Sequence, residues 1–241
     1  MDMKKFSIIA TLALASAFAA NAQFLELNIS ADFNQNLQNF TDGYDYPFGG
    51  TQLEVGSVPF SLSLLDNLPD TTGVVMTPTD DKSYKFTVPS GTYATALYTL
   101  MDTTWGMLPG VDEGSIIVTG SHGETATLNL TEGINIQDHY NGFFANTISD
   151  CNTTSVNFFN RVPNPNGPVG LDRQELVLPS SFNGDTLASI TFDGVDDREP
   201  NGDPFLAGVT LAVVPEPSPY LLFALAALVF GARFARPFQR D

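Results

Sequence analysis

The chain has 241 residues with 27 acidic and 10 basic side chains, so its formal net charge at pH 7 is −17. So acidic a surface repels phosphate backbones, and we therefore expect no nucleic-acid partner. The single cysteine, Cys151, allows no intrachain disulfide, so the fold must be stabilised by its core. We expect Cys151 to be a packed or incidental thiol rather than a catalytic or partner-linking one.

The N-terminal segment 1–22 predicts a secretory signal peptide. Lys4 and Lys5 form a basic start, an apolar run covers 6–19, and Ala20-Asn21-Ala22 is a cleavage site of small residues. An N-terminal membrane anchor is the alternative, but the small-residue site and the polar, strand-rich chain after it argue against it. We expect a Sec-type export machinery and signal peptidase to act here, leaving a mature chain that begins at Gln23.

Strand patterns recur along the middle of the chain, whereas helical periodicity is nearly absent before the C-terminal segment. The predicted strands are 24–29, 52–55, 58–62, 73–76, 84–88, 92–101, 115–119, 125–130, 155–159, 174–178, 186–192 and 205–213. The strand 92–101 is rich in β-branched and aromatic residues and is expected to be central. Residues 56–57 and 120–123 predict tight turns, and a polar hairpin over 78–82 is predicted to join the strands on either side of it.

Many short strands with turn signals at near-regular spacing predict an all-β fold, an antiparallel β-sandwich. We assign the sandwich to 23–213, between the signal peptide and a tail at 214–241. The segments 53–60 and 133–142 resemble the galactose-binding-like jelly-roll domains of exported bacterial proteins. This resemblance implies a jelly-roll topology with a structural or polysaccharide-binding role.

The tail combines a proline-rich approach, an apolar run and a basic end. Pro215-Glu216-Pro217 precedes an uncharged run of helix formers, which predicts a single hydrophobic helix over 220–232. Three arginines follow this run and are expected to stay on the cytoplasmic side of a membrane: Arg233, Arg236 and Arg240.

This arrangement resembles the PEP-CTERM protein-sorting signal. The resemblance implies that the tail associates with the membrane and is processed by an exosortase-like membrane protease. The protein would then reside at the cell surface or in the extracellular matrix. An ordinary C-terminal membrane anchor is the alternative.

The acidic loop 193–203 concentrates oxygen ligands of the kind that calcium prefers. The candidate ligands of a structural calcium ion are Asp193, Asp196, Asp197, Glu199, Asn201 and Asp203. A solvated loop, in which Arg198 neutralises its neighbours, is the alternative. We expect no other cofactor, and a bound calcium ion would hold the loop rather than take part in catalysis.

Aromatic and amide side chains suggest a carbohydrate site, because sugar-binding sites combine an aromatic face with planar polar groups. The candidate contacts, all expected to be exposed, are Tyr44, Tyr46, Trp105, Tyr140 and Asn141. Trp105 is the leading candidate. The alternative is that such aromatic rings fill the core of the sandwich.

The two histidines, His122 and His139, offer the catalytic alternative. His122 lies in a predicted turn and is expected to be exposed and without a role, whereas His139 follows Asp138. A serine hydrolase would need both residues and a nucleophile together, yet the chain has no G-x-S-x-G motif and neighbouring strand residues point to opposite faces. A histidine-based zinc site is not expected either, because the histidines and the cysteine lie far apart in sequence.

We therefore expect no catalytic residues, and an exported, non-catalytic protein whose sandwich is structural or binds exopolysaccharide. The alternative is a secreted hydrolase, a glycosidase or an esterase, that uses carboxylates or His139.

Overall fold

The computed structural model describes residues 23–40, 46–47, 49–76, 83–106, 108–140, 154–158, 169–195 and 202–214. The chain divides into two compact units, one formed by Ala22–Val213 and the other by Met1–Asn21 with Val214–Asp241. The predicted signal peptide, the hydrophobic run 220–232 and the sorting residues from Pro215 onward lie outside the described residues. Within the described ranges, no helix is long and apolar enough to cross a membrane.

Antiparallel strands account for most of the described chain, with only three short 3-10 helices, Ser30–Asp32, Leu37–Phe40 and Ser180–Phe182, among the described residues. The strands are β1 (Gln23–Leu27), β2 (Gln35–Asn36), β3 (Gln52–Val55), β4 (Val58–Ser61), β5 (Gly73–Met76), β6 (Ser83–Thr87), β7 (Ala94–Thr104), β8 (Asp112–Gly120), β9 (Thr125–Thr131), β10 (Thr154–Phe158), β11 (Val169–Val177), β12 (Leu187–Gly194) and β13 (Asp203–Val213).

The larger sheet has seven strands in the order β10-β11-β7-β13-β5-β2, and β1 also pairs with β13. One edge of β13 runs along β7, while its other edge pairs with β5 at Phe205 and Leu206 and with β1 from Val209 to Val213. Nearly every residue of β13 is buried, because this sheet is covered on both faces. Its apolar sequence without polar alternation is what such a doubly covered strand requires.

The main core lies between this sheet and a four-stranded sheet of order β6-β12-β8-β9. Leu97 and Met101 of β7 pack in the same cluster as Ile190 and Phe192 of β12, and all four side chains are buried. The two sheets thus form the two layers of a sandwich whose inner faces interdigitate.

A second core covers the opposite face of the seven-stranded sheet. Phe60 of the β3–β4 hairpin packs in one cluster with Leu100 and Phe205, and Thr210 donates a hydrogen bond to the Pro59 carbonyl at 2.6 Å. The hairpin turns at Gly56 (φ 56°) and Ser57 (φ 66°), two positive φ angles that suit a tight two-residue turn between twisted strands.

The all-β antiparallel sandwich is confirmed, as are the central position of β7 and the tight turn between β8 and β9. The predicted hairpin over 78–82 is wrong, because β5 pairs with β13 and β2 whereas β6 pairs with β12 in the other sheet. The two strands differ in burial. Gly73, Val74 and Val75 of β5 are buried, while β6 alternates between exposed and more buried positions, as an edge strand does.

Candidate functional site

A cleft of about 260 Å³ opens where β5 and β7 end. Its lining, which we call the Trp105 cleft, consists of Asn39, Phe40, Met76, Thr104, Trp105, Asp138, His139 and Tyr140. The segment 137–140 reaches the cleft by pairing with the end of β7: Thr103 N donates to Gln137 O at 2.9 Å, and His139 N donates to Thr103 O at 3.0 Å. The backbone of two distant segments thus brings Trp105 and the Asp138–Tyr140 stretch together.

Trp105 presents a large aromatic surface to solvent beside this cleft. Its side chain is 64% exposed, and its backbone has a φ of 64°. A positive φ is uncommon for a bulky residue and costs on the order of 1–3 kcal/mol, so the surrounding structure must impose it. Gly106 N donates to Asp138 Oδ2 at 3.1 Å, which fixes the turn that displays the indole.

Asp138 is fully buried and acts as the anchor of this turn. Its Oδ1 accepts a hydrogen bond from Tyr140 N at 2.8 Å, while Oδ2 accepts the one from Gly106. Burial raises the pKa of Asp138 to about 7, and the hydrogen bonds from Tyr140, Gly106 and Trp105 oppose that rise. The carboxyl group therefore ties both walls of the cleft together and changes charge near neutral pH.

His139 is buried in an aromatic cluster behind the cleft. Its Nδ1 lies 2.7 Å from the hydroxyl of Tyr46, and its ring centroid lies 4.3 Å from that of Tyr140 and 6.0 Å from that of Phe205. Burial lowers the pKa of His139 to about 3, so the imidazole is neutral at physiological pH. It shapes the aromatic wall and brings no charge to the cleft.

Buried carboxyl groups underlie the cleft, and sequence reasoning did not single them out as a group. The fully buried members are Asp102, Glu113, Glu132, Asp138 and Asp172. Burial raises the pKa of Glu132 to about 9 and that of Glu113 to about 7, while burial and the neighbouring Asp172 raise the pKa of Asp102 well above its usual range. The signal available in the sequence was a set of acids inside otherwise apolar strands, as in Leu100-Met101-Asp102.

Glu132 connects this acidic group to the floor of the cleft. Its Oε2 accepts a hydrogen bond from Thr103 Oγ1 at 3.1 Å. A Cβ added to Gly106 would lie 2.5 Å from Glu132 Oε1 and 2.5 Å from Thr103 Oγ1, so only glycine fits beside them. The residue after Trp105 is thus fixed by packing as well as by its hydrogen bond to Asp138.

The structure brings Trp105 and Tyr140 to one cleft and confirms that Trp105 is exposed. The expectation that Tyr46 and Tyr140 are exposed is wrong, because both rings are buried in the second core beside His139. The other two candidates, Tyr44 and Asn141, lie outside the described residues.

The candidate calcium loop is described only at its ends. Asp193 lines a shallow depression of about 390 Å³ together with Asp112 and Asn129. Asp203 begins β13, opposite Thr104. The remaining candidate ligands, Asp196, Asp197, Glu199 and Asn201, lie outside the described residues. The calcium hypothesis therefore stays a prediction.

His122 is exposed, as predicted, and it makes a contact that the sequence did not predict. Its Nδ1 lies 2.6 Å from Asp185 Oδ1. The turn that carries His122 therefore contacts the segment before β12.

Cys151 lies outside the described residues.

Comparisons of the chain with protein-family models, with curated proteins and with solved structures found no match. The described residues define an antiparallel β-sandwich with an aromatic cleft at one end of its larger sheet. The chemistry of that cleft and the sequence of the two termini are therefore the features that bear on function.

Proposed function

We propose that this protein is an exported, non-catalytic surface or extracellular-matrix protein whose β-sandwich binds polysaccharide in the Trp105 cleft. The finer fold that we propose is a galactose-binding-like jelly-roll. The observation that carries the proposal is the exposed indole of Trp105, held in a strained backbone conformation beside a cleft. Strained conformations persist only where the surrounding structure enforces them, and they cluster at functional sites.

The lining of the cleft suits a sugar ring. The exposed face of Trp105 can stack on the apolar C–H face of a pyranose, while the exposed side chain of Asn39 supplies hydrogen bonds to its hydroxyl groups. At about 260 Å³ the cleft lies near the small end of ligand-binding sites. This size favours one sugar ring seated in the cleft while the rest of a long polymer runs into solvent.

The same lining favours binding over hydrolysis. Glycosidases place two carboxyl groups on either side of the scissile bond, about 5–10 Å apart. Of the described residues that line the cleft, Asp138 alone carries a carboxyl group, and both of its oxygens accept backbone hydrogen bonds. His139 is neutral and its Nδ1 contacts Tyr46. Asp138 and His139 thus hold the cleft in shape, and the described lining lacks the second carboxyl group that a glycosidase needs.

The sorting part of the proposal rests on the two termini. The sequence before Gln23 is that of a cleavable export signal, and the Pro-Glu-Pro approach begins two residues after β13 ends at Val213. The tail would therefore leave the sandwich directly at its last strand. It would hold the exported chain at the membrane until an exosortase-like protease processes it.

The binding test is retention on immobilised surface polysaccharide from the native host, measured for the wild type, Trp105→Ala and a matched control. Tyr93→Ala is the control, because Tyr93 is an exposed aromatic residue that does not line the cleft. We expect Trp105→Ala to lose retention and Tyr93→Ala to keep it. Equal retention of all three proteins would remove Trp105 from the site.

Two further measurements test the rest of the proposal. Glycosidase or esterase turnover that Asp138→Asn or His139→Ala abolishes would replace the non-catalytic function with the hydrolase. The intact mass of the protein from its native host is expected to show loss of residues 1–22 and a processed carboxyl end. A full-length mass with both termini intact would contradict the sorting proposal.

A further inference from the structure

The turn between β8 and β9 faces the segment that precedes β12, on residues that the Trp105 cleft does not share. His122 and Glu124 come from the turn, and Asp185 comes from the facing segment. One candidate ligand atom from each of these three side chains lies within 4.8 Å of the other two. Residues from two segments that are far apart in sequence thus converge at one point.

Asp185 is the fixed member of this group. Its side chain is only 5% exposed, and its Oδ1 accepts hydrogen bonds from Ser121 Oγ at 2.5 Å and from Thr186 N at 2.8 Å. These hydrogen bonds hold the carboxylate in one orientation.

Glu124 supplies the independent observation that points to a cation. Its Oε2 is shielded from solvent and accepts no hydrogen bond. A Cβ added to Gly120 would lie 2.9 Å from this oxygen and 2.4 Å from Asp185 Oδ2, so both carboxylates point into the same small space beside a glycine. Asp185 Oδ2 accepts a hydrogen bond from the backbone N–H of His122 at 3.3 Å, whereas Glu124 Oε2 has no donor. The two carboxylates repel one another unless a proton or a cation lies between them.

His122 completes the donor set and indicates which cation fits. Its ring is 75% exposed and its Nδ1 lies 2.6 Å from Asp185 Oδ1. Nitrogen and oxygen ligands of a tetrahedral zinc ion, each about 2.0–2.2 Å from the metal, lie about 3.3 Å apart. The exposed ring would therefore need to move outward by less than about 1 Å to reach that separation.

We propose that His122, Glu124 and Asp185 bind one divalent transition-metal ion of the zinc class. An imidazole nitrogen with two carboxylates is a zinc-type donor set, whereas calcium and magnesium prefer oxygen ligands alone. The spacing of the histidines and the cysteine predicted no zinc site, but Glu124 and Asp185 supply the missing ligands. The ion would connect the β8–β9 turn to the segment before β12. This metal site does not depend on the proposed sugar binding.

The test is isothermal titration of the full-length chain, purified without a histidine tag, with zinc chloride. Cys151→Ser is the background for every sample, because a free thiol also binds zinc. We expect one equivalent to bind and the melting temperature to rise with zinc. Cobalt(II) bound in place of zinc is expected to give visible d–d absorption.

Variants assign the ligands. His122→Asn and Glu124→Gln change side chains that are not deeply buried. Each is expected to weaken zinc binding by at least about 10-fold, because even the loss of a residue that only supports a ligand costs about 10–100-fold. Asp193→Asn, in the separate acidic depression, serves as the matched control and is expected to bind zinc as the background does. No stoichiometric binding by the background chain, or binding that survives both ligand substitutions, would overturn the proposal.

Discussion

The buried carboxyl group of Glu132 gives the sharpest test of the core beneath the cleft. Burial raises its pKa from 4.5 to about 9, so the folded chain keeps this proton at neutral pH while the unfolded chain loses it. The contribution of Glu132 to the free energy of unfolding is therefore fully present below about pH 4.5 and is lost as the pH rises towards 9. Glu132→Gln imitates the protonated side chain and has no proton to lose.

The magnitude follows from the two pKa values. Each pH unit between them changes the free energy of unfolding by about 1.4 kcal/mol, so the wild type loses about 3 kcal/mol from Glu132 between pH 4.5 and pH 7. The free energy of unfolding of Glu132→Gln, relative to that of the wild type, is thus expected to rise by about 1.4 kcal/mol per pH unit from pH 5 to pH 8. Titrating groups far from Glu132 cancel in this difference, whereas Glu113 and Asp138 interact with Glu132 and change the slope near pH 7.

The assay is urea denaturation of both proteins at half-unit intervals of pH, with Glu54→Gln as the control. Glu54 is an exposed glutamate on β3, so the same chemical change is made where the side chain stays in water. The control is expected to follow the wild type at every pH. Parallel pH profiles of Glu132→Gln and the wild type would refute the assignment of a raised pKa to Glu132.

Four further predictions follow from the described contacts. Tyr46→Phe leaves His139 Nδ1 without its buried partner and is expected to lower the free energy of unfolding by about 1–3 kcal/mol; an unchanged urea midpoint would contradict the contact. Phe192→Ala empties part of the main core and is expected to cost about 3–5 kcal/mol in the same assay, and a loss under 1 kcal/mol would place the ring elsewhere. Trp105→Gly is expected to be more stable than Trp105→Ala by about 1 kcal/mol, since glycine adopts a positive φ without strain; equal melting temperatures would count against that strain. Calcium is expected to raise the melting temperature of the wild type but not of Asp193→Asn, and a wild type that responds to neither calcium nor chelator would end the calcium hypothesis.

The sequence alone predicted the fold class and most strand positions, because strands have strong local signals. The predicted strands 52–55 and 73–76 match β3 and β5 in full, and the apolar run 205–213 lies within β13. Which strands pair is a non-local property, however. The short polar stretch between β5 and β6 predicted a hairpin, but the two strands belong to different sheets and do not pair.

The cleft was only partly predictable for the same reason. Trp105 was singled out by its residue type, yet the residues around it come from positions as distant as Phe40, Met76 and Tyr140. Local sequence also gave no sign that Tyr46 contacts His139 from 93 positions away, which is why Tyr46 was expected to be exposed. Composition identified abundant acids but not which of them are buried, because burial depends on the assembled sheets.

The fluorescence of Trp105 tests the central claim most directly, because it is the single tryptophan of the chain. A polysaccharide that stacks on the exposed indole removes it from water, so titration with the host polymer is expected to shift the emission maximum to shorter wavelength and to saturate. An emission spectrum that stays unchanged while the polymer is bound would place the sugar elsewhere and contradict the account.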